Sequence, residues 1–222
     1  MKPKLILALD VDDLRRAKYF INKLYPTIKI FKVGAHLFTA CGPQVIEFIR
    51  KKGAEAFLDL KYFDIPNTVA GAVRQAVRMR VKMLTMHILG DEEMIKAALC
   101  AAKGEARKLK VKRPLLIGVT VLTSKEANFS DVLTLARIGI DSGLDGVVCS
   151  VREAWLLRKK FKKRFVIVTP GIRQGASAKF DQKRTATVKE AIKAGSDYLV
   201  VGRPILQAQN PLSVAKELAS GK

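Results

Sequence analysis

The sequence predicts an α/β chain folded as a single-domain (β/α)₈ TIM barrel over residues 1–222. Eight apolar runs alternate with eight helical patterns. The runs are rich in Val, Ile, Leu and Phe, as expected of parallel strands buried on both faces. Nearly every run exits on a polar or charged residue, as strands do at the mouth of a barrel. With 222 residues and 49% hydrophobic content, the chain can bury one sizeable core and needs no second domain. An open doubly wound sheet is the competing architecture, but no G-x-G-x-x-G follows the first strand.

In chain order, the strand Lys4–Leu9 exits on Asp10 and leads to the helix Asp13–Leu24. The strand Ile28–Val33 carries Lys32 near its end and precedes the helix Pro43–Lys52. Ala54–Leu60 exits on Asp59 and Lys61 before the helix Pro66–Met79, and Lys82–Met86 exits on His87 before Glu92–Leu109. The second half repeats the scheme. Leu115–Val119 exits on Thr120 and Thr123 before Asp131–Ser142, and Asp145–Cys149 on Ser150 before Arg152–Phe161. Phe165–Val168 exits on Thr169 and Pro170 before Thr187–Ala194. Tyr198–Val201 exits on Gly202 and Arg203, ahead of a short helix from Pro204 and a last helix Pro211–Ala219.

Composition limits the function. No stretch reaches the roughly 18–20 uncharged apolar residues of a membrane span, and a first strand starting by Lys4 leaves no room for a leader, so a cytoplasmic protein is expected. Cys41, Cys100 and Cys149 are odd in number and lack metal-ligand spacing, which predicts buried or half-buried thiols, no disulfide and no metal site. Two histidines, His36 and His87, give little material for a Ser-His or multi-histidine mechanism. The formal charge of +21 implies attraction for phosphates and polyanions. Its clusters, Arg74–Lys82, Lys103–Arg113 and Arg158–Arg164, lie on or beside amphipathic helical segments and read as solvated outer faces. Nucleic acid is the disfavoured partner, because no recognition motif accompanies them.

The most informative segment is DLKYFDIPNT, Asp59–Thr68. Alternation places Asp59 and Lys61 on one face of a strand and Leu60 on the other. Taken alone this reads first as a solvent-facing ion pair, worth ~0–1 kcal/mol. In a barrel, Asp10, Lys32, Asp59 and Lys61 meet in one cavity and form a network of alternating sign, which keeps both lysines protonated and both carboxylates ionised. The other half of the mouth has a different character. Thr169-Pro-Gly-Ile-Arg173 opens a polar loop, and Gly202-Arg203 precedes a short helix, the usual place for a phosphate in such barrels. Arg203 suits a bidentate contact to that anion, the other reading being an ordinary rim arginine. Arg173 either adds to it or braces the loop.

These residues together resemble the orotidine 5′-phosphate decarboxylase family. The resemblance rests on LALD ending at Asp10, KVG at Lys32–Gly34, DLKYFDIPNT, TPGIR, DQKR at Asp181–Arg184 and VGRPI at Val201–Ile205. It implies a cofactor-independent conversion of orotidine 5′-monophosphate to uridine 5′-monophosphate. Lys61 is then the proton donor to pyrimidine C6, Asp59 lies beside the substrate carboxylate, and Lys32 joins the network and contacts the ribose. Asp10 binds a ribose hydroxyl, Thr123 contacts the pyrimidine and Pro170 lies against the ring. Gln182, Gly202 and Arg203 hold the phosphate. Asp64, Ile65 and Thr68 reach into a neighbouring subunit's site, so the expected active unit is a homodimer. His87 is expected to be structural. The alternatives are a sugar-phosphate decarboxylase or aldolase of the same superfamily, or a basic barrel that binds nucleic acid.

Overall fold

The computed structural model describes residues 3–122, 128–173 and 186–221. Its first half comprises β1 (Lys4–Ala8), α1 (Leu14–Leu24), β2 (Ile30–Gly34), α2 (Ala35–Cys41), α3 (Gln44–Lys51), β3 (Glu55–Tyr62), α4 (Pro66–Arg78), β4 (Met83–His87), a 3₁₀ turn (Ile88–Gly90) and α5 (Asp91–Leu109). The second half comprises β5 (Leu115–Val119), α6 (Phe129–Asp141), β6 (Gly146–Val148), α7 (Val151–Lys160), β7 (Val166–Thr169), β8 (Ile172–Arg173), β9 (Ala186–Thr187), α8 (Val188–Lys193), β10 (Tyr198–Val201), α9 (Arg203–Leu206) and α10 (Pro211–Ser220).

Eight parallel strands close in the order β1-β10-β7-β6-β5-β4-β3-β2, with β8 and β9 as a separate pair. This is the expected barrel. Two additions escaped the sequence reading. The helix α2 fills the segment between β2 and α3, and β8 with β9 forms a small ladder in which Arg173 pairs with Thr187.

The period-two geometry of strands sorts the apolar residues into two cores. Ile6, Ala8, Ile30, Phe57, Met83, Ile117, Val168, Tyr198 and Val200 fill the barrel interior. Their neighbours in sequence, among them Leu7, Phe31, Leu58 and Leu84, point outward into the larger layer beneath the helices. The inward row of each early strand begins apolar and continues polar toward the C-terminal end: Ile30 then Lys32, Phe57 then Asp59, Met83 then Thr85. That sequence of side chains gives the barrel a dry base and a charged mouth.

The helix starts have local causes. Asp13 caps α1 by accepting from the Arg16 amide at 2.7 Å, and Ser150 and Thr187 form reciprocal capping boxes with Glu153 and Glu190. Pro66 stands in the first turn of α4, where its missing N–H costs nothing.

The reading of the basic clusters as solvated faces requires correction. Arg158 donates to the Gly195 and Phe165 carbonyls at 3.0 and 2.7 Å and to Asp197 at 2.6 Å. Asp197 also accepts from Arg164 and from the Ile167 amide. Arg113 grips Asp145 with two bonds of 2.7 and 2.8 Å, and Arg78 and Lys82 pair with Glu105 and Glu55. These basic side chains tie neighbouring parts of the barrel together, a role invisible while their carboxylate partners lie some 30 residues away in sequence.

Because Arg158 serves three acceptors from a half-buried position, Arg158→Ala should lower unfolding free energy by about 2 kcal/mol. Lys162→Ala, on an exposed turn nearby, should change it by less than about 0.5 kcal/mol. Urea denaturation of both variants measures the difference.

Candidate active site

A cavity of about 520 Å³ opens at the C-terminal end of the strands. Its two sides are chemically unlike. Asp10, Lys32, Asp59 and Lys61 stand on the side of β1–β3, while Val119, Leu122, Val148 and Val168 line the side of β5–β7. Pro170 and Arg173 after β7 and Gly202 and Arg203 after β10 also line it.

Asp59 is the centre of the charged side. It is 8% exposed, and its two oxygens are divided between two ammonium groups: Oδ2 lies 3.1 Å from Lys32 Nζ and Oδ1 3.0 Å from Lys61 Nζ. Thr85 Oγ1 donates a further bond to Oδ1 at 2.9 Å. Burial pushes the carboxyl upward, but the charges of Lys32 and Lys61 and the bonds they donate outweigh it and hold Asp59 below the ordinary carboxylate range. Lys32 also lies 3.8 Å from Asp10 Oδ1. The four-membered alternating network expected from the sequence is therefore present.

The two lysines differ in access. The Lys32 side chain is 14% exposed, packed between two carboxylates, whereas that of Lys61 is 38% exposed and faces the cavity. Both line the cavity, and Lys61 is the more accessible of the two to a bound molecule. It sits inside β3, beyond the predicted end at Leu60, with a left-handed backbone at φ 51°. For a residue with a side chain this conformation costs on the order of 1–3 kcal/mol and needs surrounding structure to maintain it.

On the opposite rim, Arg203 opens α9 and Gly202 precedes it. A Cβ built on Gly202 would stand 3.2 Å from Asp10 Oδ2 and 3.5 Å from the Ala8 Cβ. Glycine therefore lets the end of β10 pass close beside Asp10, drawing Arg203 toward the charged side. Gln207, one turn beyond Arg203, also lines the cavity. It went unnoticed in the sequence, where its spacing of four from Arg203 was the available signal.

Other expectations fared variously. Asp64, Ile65 and Thr68 are exposed and none lines the cavity of their own chain. Asp64 instead accepts from the Ile65 amide at 2.7 Å. Thr123 and Gln182 lie outside the described residues.

The expectation that almost every strand exit contributes polarity to the mouth fails at Thr120, Ser150 and Thr169, the exits of β5, β6 and β7. Thr120 is buried and donates to the Val148 carbonyl at 3.1 Å. Ser150 caps α7, and Thr169 bonds to Ser196 at 2.8 Å. Each hydroxyl satisfies local backbone or a neighbouring side chain, leaving valines and Leu122 to form that wall.

His87, expected to be structural, tilts against Phe63 with ring centroids 5.6 Å apart. Burial and the Lys61 charge push its imidazole below the ordinary value against a smaller pull from Asp59, so it is neutral near pH 7. Among the described residues, its buried Nδ1 has no hydrogen-bond partner. Of the thiols, Cys149 is buried, Cys41 half-buried and, against expectation, Cys100 exposed.

The family model described as "Orotidine 5'-phosphate decarboxylase / HUMPS family" matches residues 3–218. The chain belongs to this family. Among curated relatives, it is 44% identical to the orotidine 5′-phosphate decarboxylase of Coxiella burnetii, with 97% of this chain and 95% of that protein covered. Identity to the Moorella thermoacetica protein of the same name is 42%, covering 99% and 92%. The crystal structure of orotidine 5′-phosphate decarboxylase from Lactobacillus acidophilus superposes with a TM-score of 0.87 at 33% identity, covering 99% and 98% of the two chains. In this family member, two of the four charges at the mouth, Asp59 and Lys61, come from the motif DLKYFDIPNT. Among the described residues, no helix is long and apolar enough to cross a membrane.

The depressed Asp59 value has a defined consequence for acid stability. A carboxyl whose folded value lies below its unfolded one stabilises the fold above the unfolded value, near pH 4, and loses that contribution as pH falls through the folded value. Asp59→Asn should therefore lower the plateau of stability at neutral pH, by leaving Lys32 and Lys61 unpaired, and flatten the loss on acidification. Urea denaturation between about pH 3 and pH 7 checks both signs.

Proposed function

We propose that this chain is a carboxy-lyase that converts orotidine 5′-monophosphate to uridine 5′-monophosphate, with Lys61 delivering the proton to C6. The observation that carries the reading is the cavity-facing Lys61 ammonium, 3.0 Å from the buried Asp59 carboxylate. Relatives at 42–44% identity bear the name of this activity. The family description also joins a second group, and the sugar-phosphate reading survives only through that name.

The chemistry explains why such a pair is needed. When the bond between C6 and its carboxylate breaks, carbon dioxide leaves and the electron pair stays on C6, where no carbonyl or imine delocalises it. An ammonium group held at that carbon stabilises the developing charge and then transfers its proton, forming the C6–H bond. Asp59 directs the Lys61 ammonium group through their 3.0 Å ion pair and, as the resemblance implies, lies beside the departing carboxylate. Repulsion between two carboxylates ~4 Å apart is about 4 kcal/mol at an effective dielectric near 20, against up to about 23 kcal/mol for large enzymatic accelerations. Stabilisation at the transition state must therefore supply most of the rate. The valine-lined wall suits the flat pyrimidine face, with Pro170 against the ring. Arg203 and Gly202 suit the phosphate, to which the resemblance also assigns Gln182, and its binding energy serves to order the site. The resemblance assigns Asp10 and Lys32 to the ribose and Thr123 to the pyrimidine, and the position of Asp10 and Lys32 at the cavity wall supports the first of these roles.

Adding the protein to orotidine 5′-monophosphate without metal or cofactor should produce a fall in ultraviolet absorbance as the substrate is consumed. A protein that instead turns over only sugar phosphates, or only binds nucleic acid in a salt-dependent way, sinks the reading. Lys61→Ala should reduce turnover by at least about a thousandfold with the fold retained. Arg203→Ala should act chiefly on KM.

The active unit is a homodimer with shared sites. Phe63, Ile65 and Leu89 are 61%, 67% and 62% exposed, a concentration of large apolar surface beside the mouth that favours burial against a second copy. Asp64 and Thr68 share that edge while missing their own cavity. Mixing inactive Asp64→Asn and Lys61→Ala chains should restore roughly a quarter of normal activity, since half the dimers then carry one intact site. No recovery after verified subunit exchange would argue against sharing.

A further inference from the structure

The pairing of β3 with β4 is interrupted at the reacting residues. Phe57 pairs with Met83 and Leu58 with Leu84, but the next pair is Tyr62 with Met86. Asp59, Leu60 and Lys61 thus oppose a single residue of β4, Thr85. Extra residues in one strand deprive its backbone of ladder partners and re-aim its side chains. The orphaned donors need another acceptor when buried.

Thr85 supplies it. The residue is fully buried. Its Oγ1 accepts from the Lys61 backbone N–H at 3.0 Å and donates to Asp59 Oδ1 at 2.9 Å. An amide can only donate, so the hydroxyl oxygen is engaged as acceptor on that side and its proton is left for the carboxylate. One hydroxyl therefore grips both the backbone from which Lys61 extends and the oxygen toward which its ammonium turns. A methyl group in its place would fill the same space and make neither bond.

We propose that Thr85 is the positioning residue of the reaction, a clamp that holds the left-handed Lys61 backbone and the Asp59 carboxylate in fixed relation so that the ammonium group meets the reacting carbon. The proposal deepens the decarboxylase reading and rests on it for its kinetic part. It does not require Thr85 to touch substrate; it acts through Asp59 and Lys61.

The charged and titratable groups facing Asp59 are Lys32 from β2, Lys61 from β3 itself and His87 from β4, with Asp10 after β1 acting through Lys32. All remain when only the Thr85 hydroxyl is removed. Losing a hydrogen bond to the ionised form raises a carboxyl's titration midpoint, so that midpoint reads the clamp directly. A threonine that merely fills the barrel interior would not move it when replaced by valine.

The test compares Thr85→Val with Thr85→Ser in the full chain. Valine should lower kcat on orotidine 5′-monophosphate by about tenfold, the size of one hydrogen bond to a charged group, while KM changes by less than about twofold. Serine should keep kcat within about threefold of the parent. In the unliganded protein, carbon NMR titration of the Asp59 carboxyl should show a higher midpoint with valine and an unchanged one with serine. An unshifted midpoint in Thr85→Val overturns the clamp whatever the turnover, as does a serine variant as slow as valine. If circular dichroism shows valine unfolded, Thr85→Ala takes its place, and serine performing no better than alanine overturns the proposal. A parent protein inert toward orotidine 5′-monophosphate sinks the functional reading alone, and the carboxyl titration then decides the clamp.

Discussion

A buried carboxylate between two ammonium groups governs the mouth of this barrel. Removing Asp59 from water carries a penalty of several kcal/mol for an isolated ion, and its near-complete burial is tolerable only because every side of it is met by a donor. Lys32 takes one oxygen, while Lys61 and Thr85 share the other. Each donor comes from a different place in the chain, β2, β3 and β4. The direct pairing of β3 with β2 on one side and β4 on the other is what brings these three strands into the register that satisfies it. The same group of charges that makes the burial possible provides the electrostatic field for chemistry.

The division of the cavity into charged and apolar sides follows from how each strand's inward row ends. On β1–β3 the row passes from Ile or Phe to Asp and Lys, and these charges have no local backbone partner to occupy them fully. On β5–β7 the hydroxyl groups at the exits are taken by a carbonyl, a helix start and a neighbouring serine. Among the described residues of β5–β7 and the two positions after β5, what faces the cavity is aliphatic. An apolar wall lowers the local dielectric opposite the charges and strengthens their effect on anything held between. Gly202 then admits the end of β10 close to Asp10, so the cationic rim at Arg203 belongs to the same cavity.

Charge elsewhere in the molecule has another use. The excess of lysine and arginine suggested solvated helix faces, yet several arginines join one βα unit to the next through partly buried carboxylates. Arg158 resembles a fastener more than a solubilising group, since three acceptors from two segments converge on it. Exposed residues such as Lys162 fit the solvated description better. The two populations have the same sequence signature and differ only in whether a carboxylate arrives from about 30 residues away.

By itself, the sequence determined the alternation of eight strands and helices, the inward placement of Asp59 on its strand, and the family to which the chain belongs. These follow from periodicity and from a contiguous motif, both of which are local properties. The tertiary structure alone decided that β3 runs on to Tyr62 through a left-handed Lys61, that Thr85 faces three residues at once, and that Thr120, Ser150 and Thr169 turn away from the cavity. It also revealed α2 and the β8–β9 ladder. The physical reason is common to these features. A hydroxyl's direction and a strand's end depend on which donor or acceptor a distant segment presents, and the pairing of neighbouring strands sets that register.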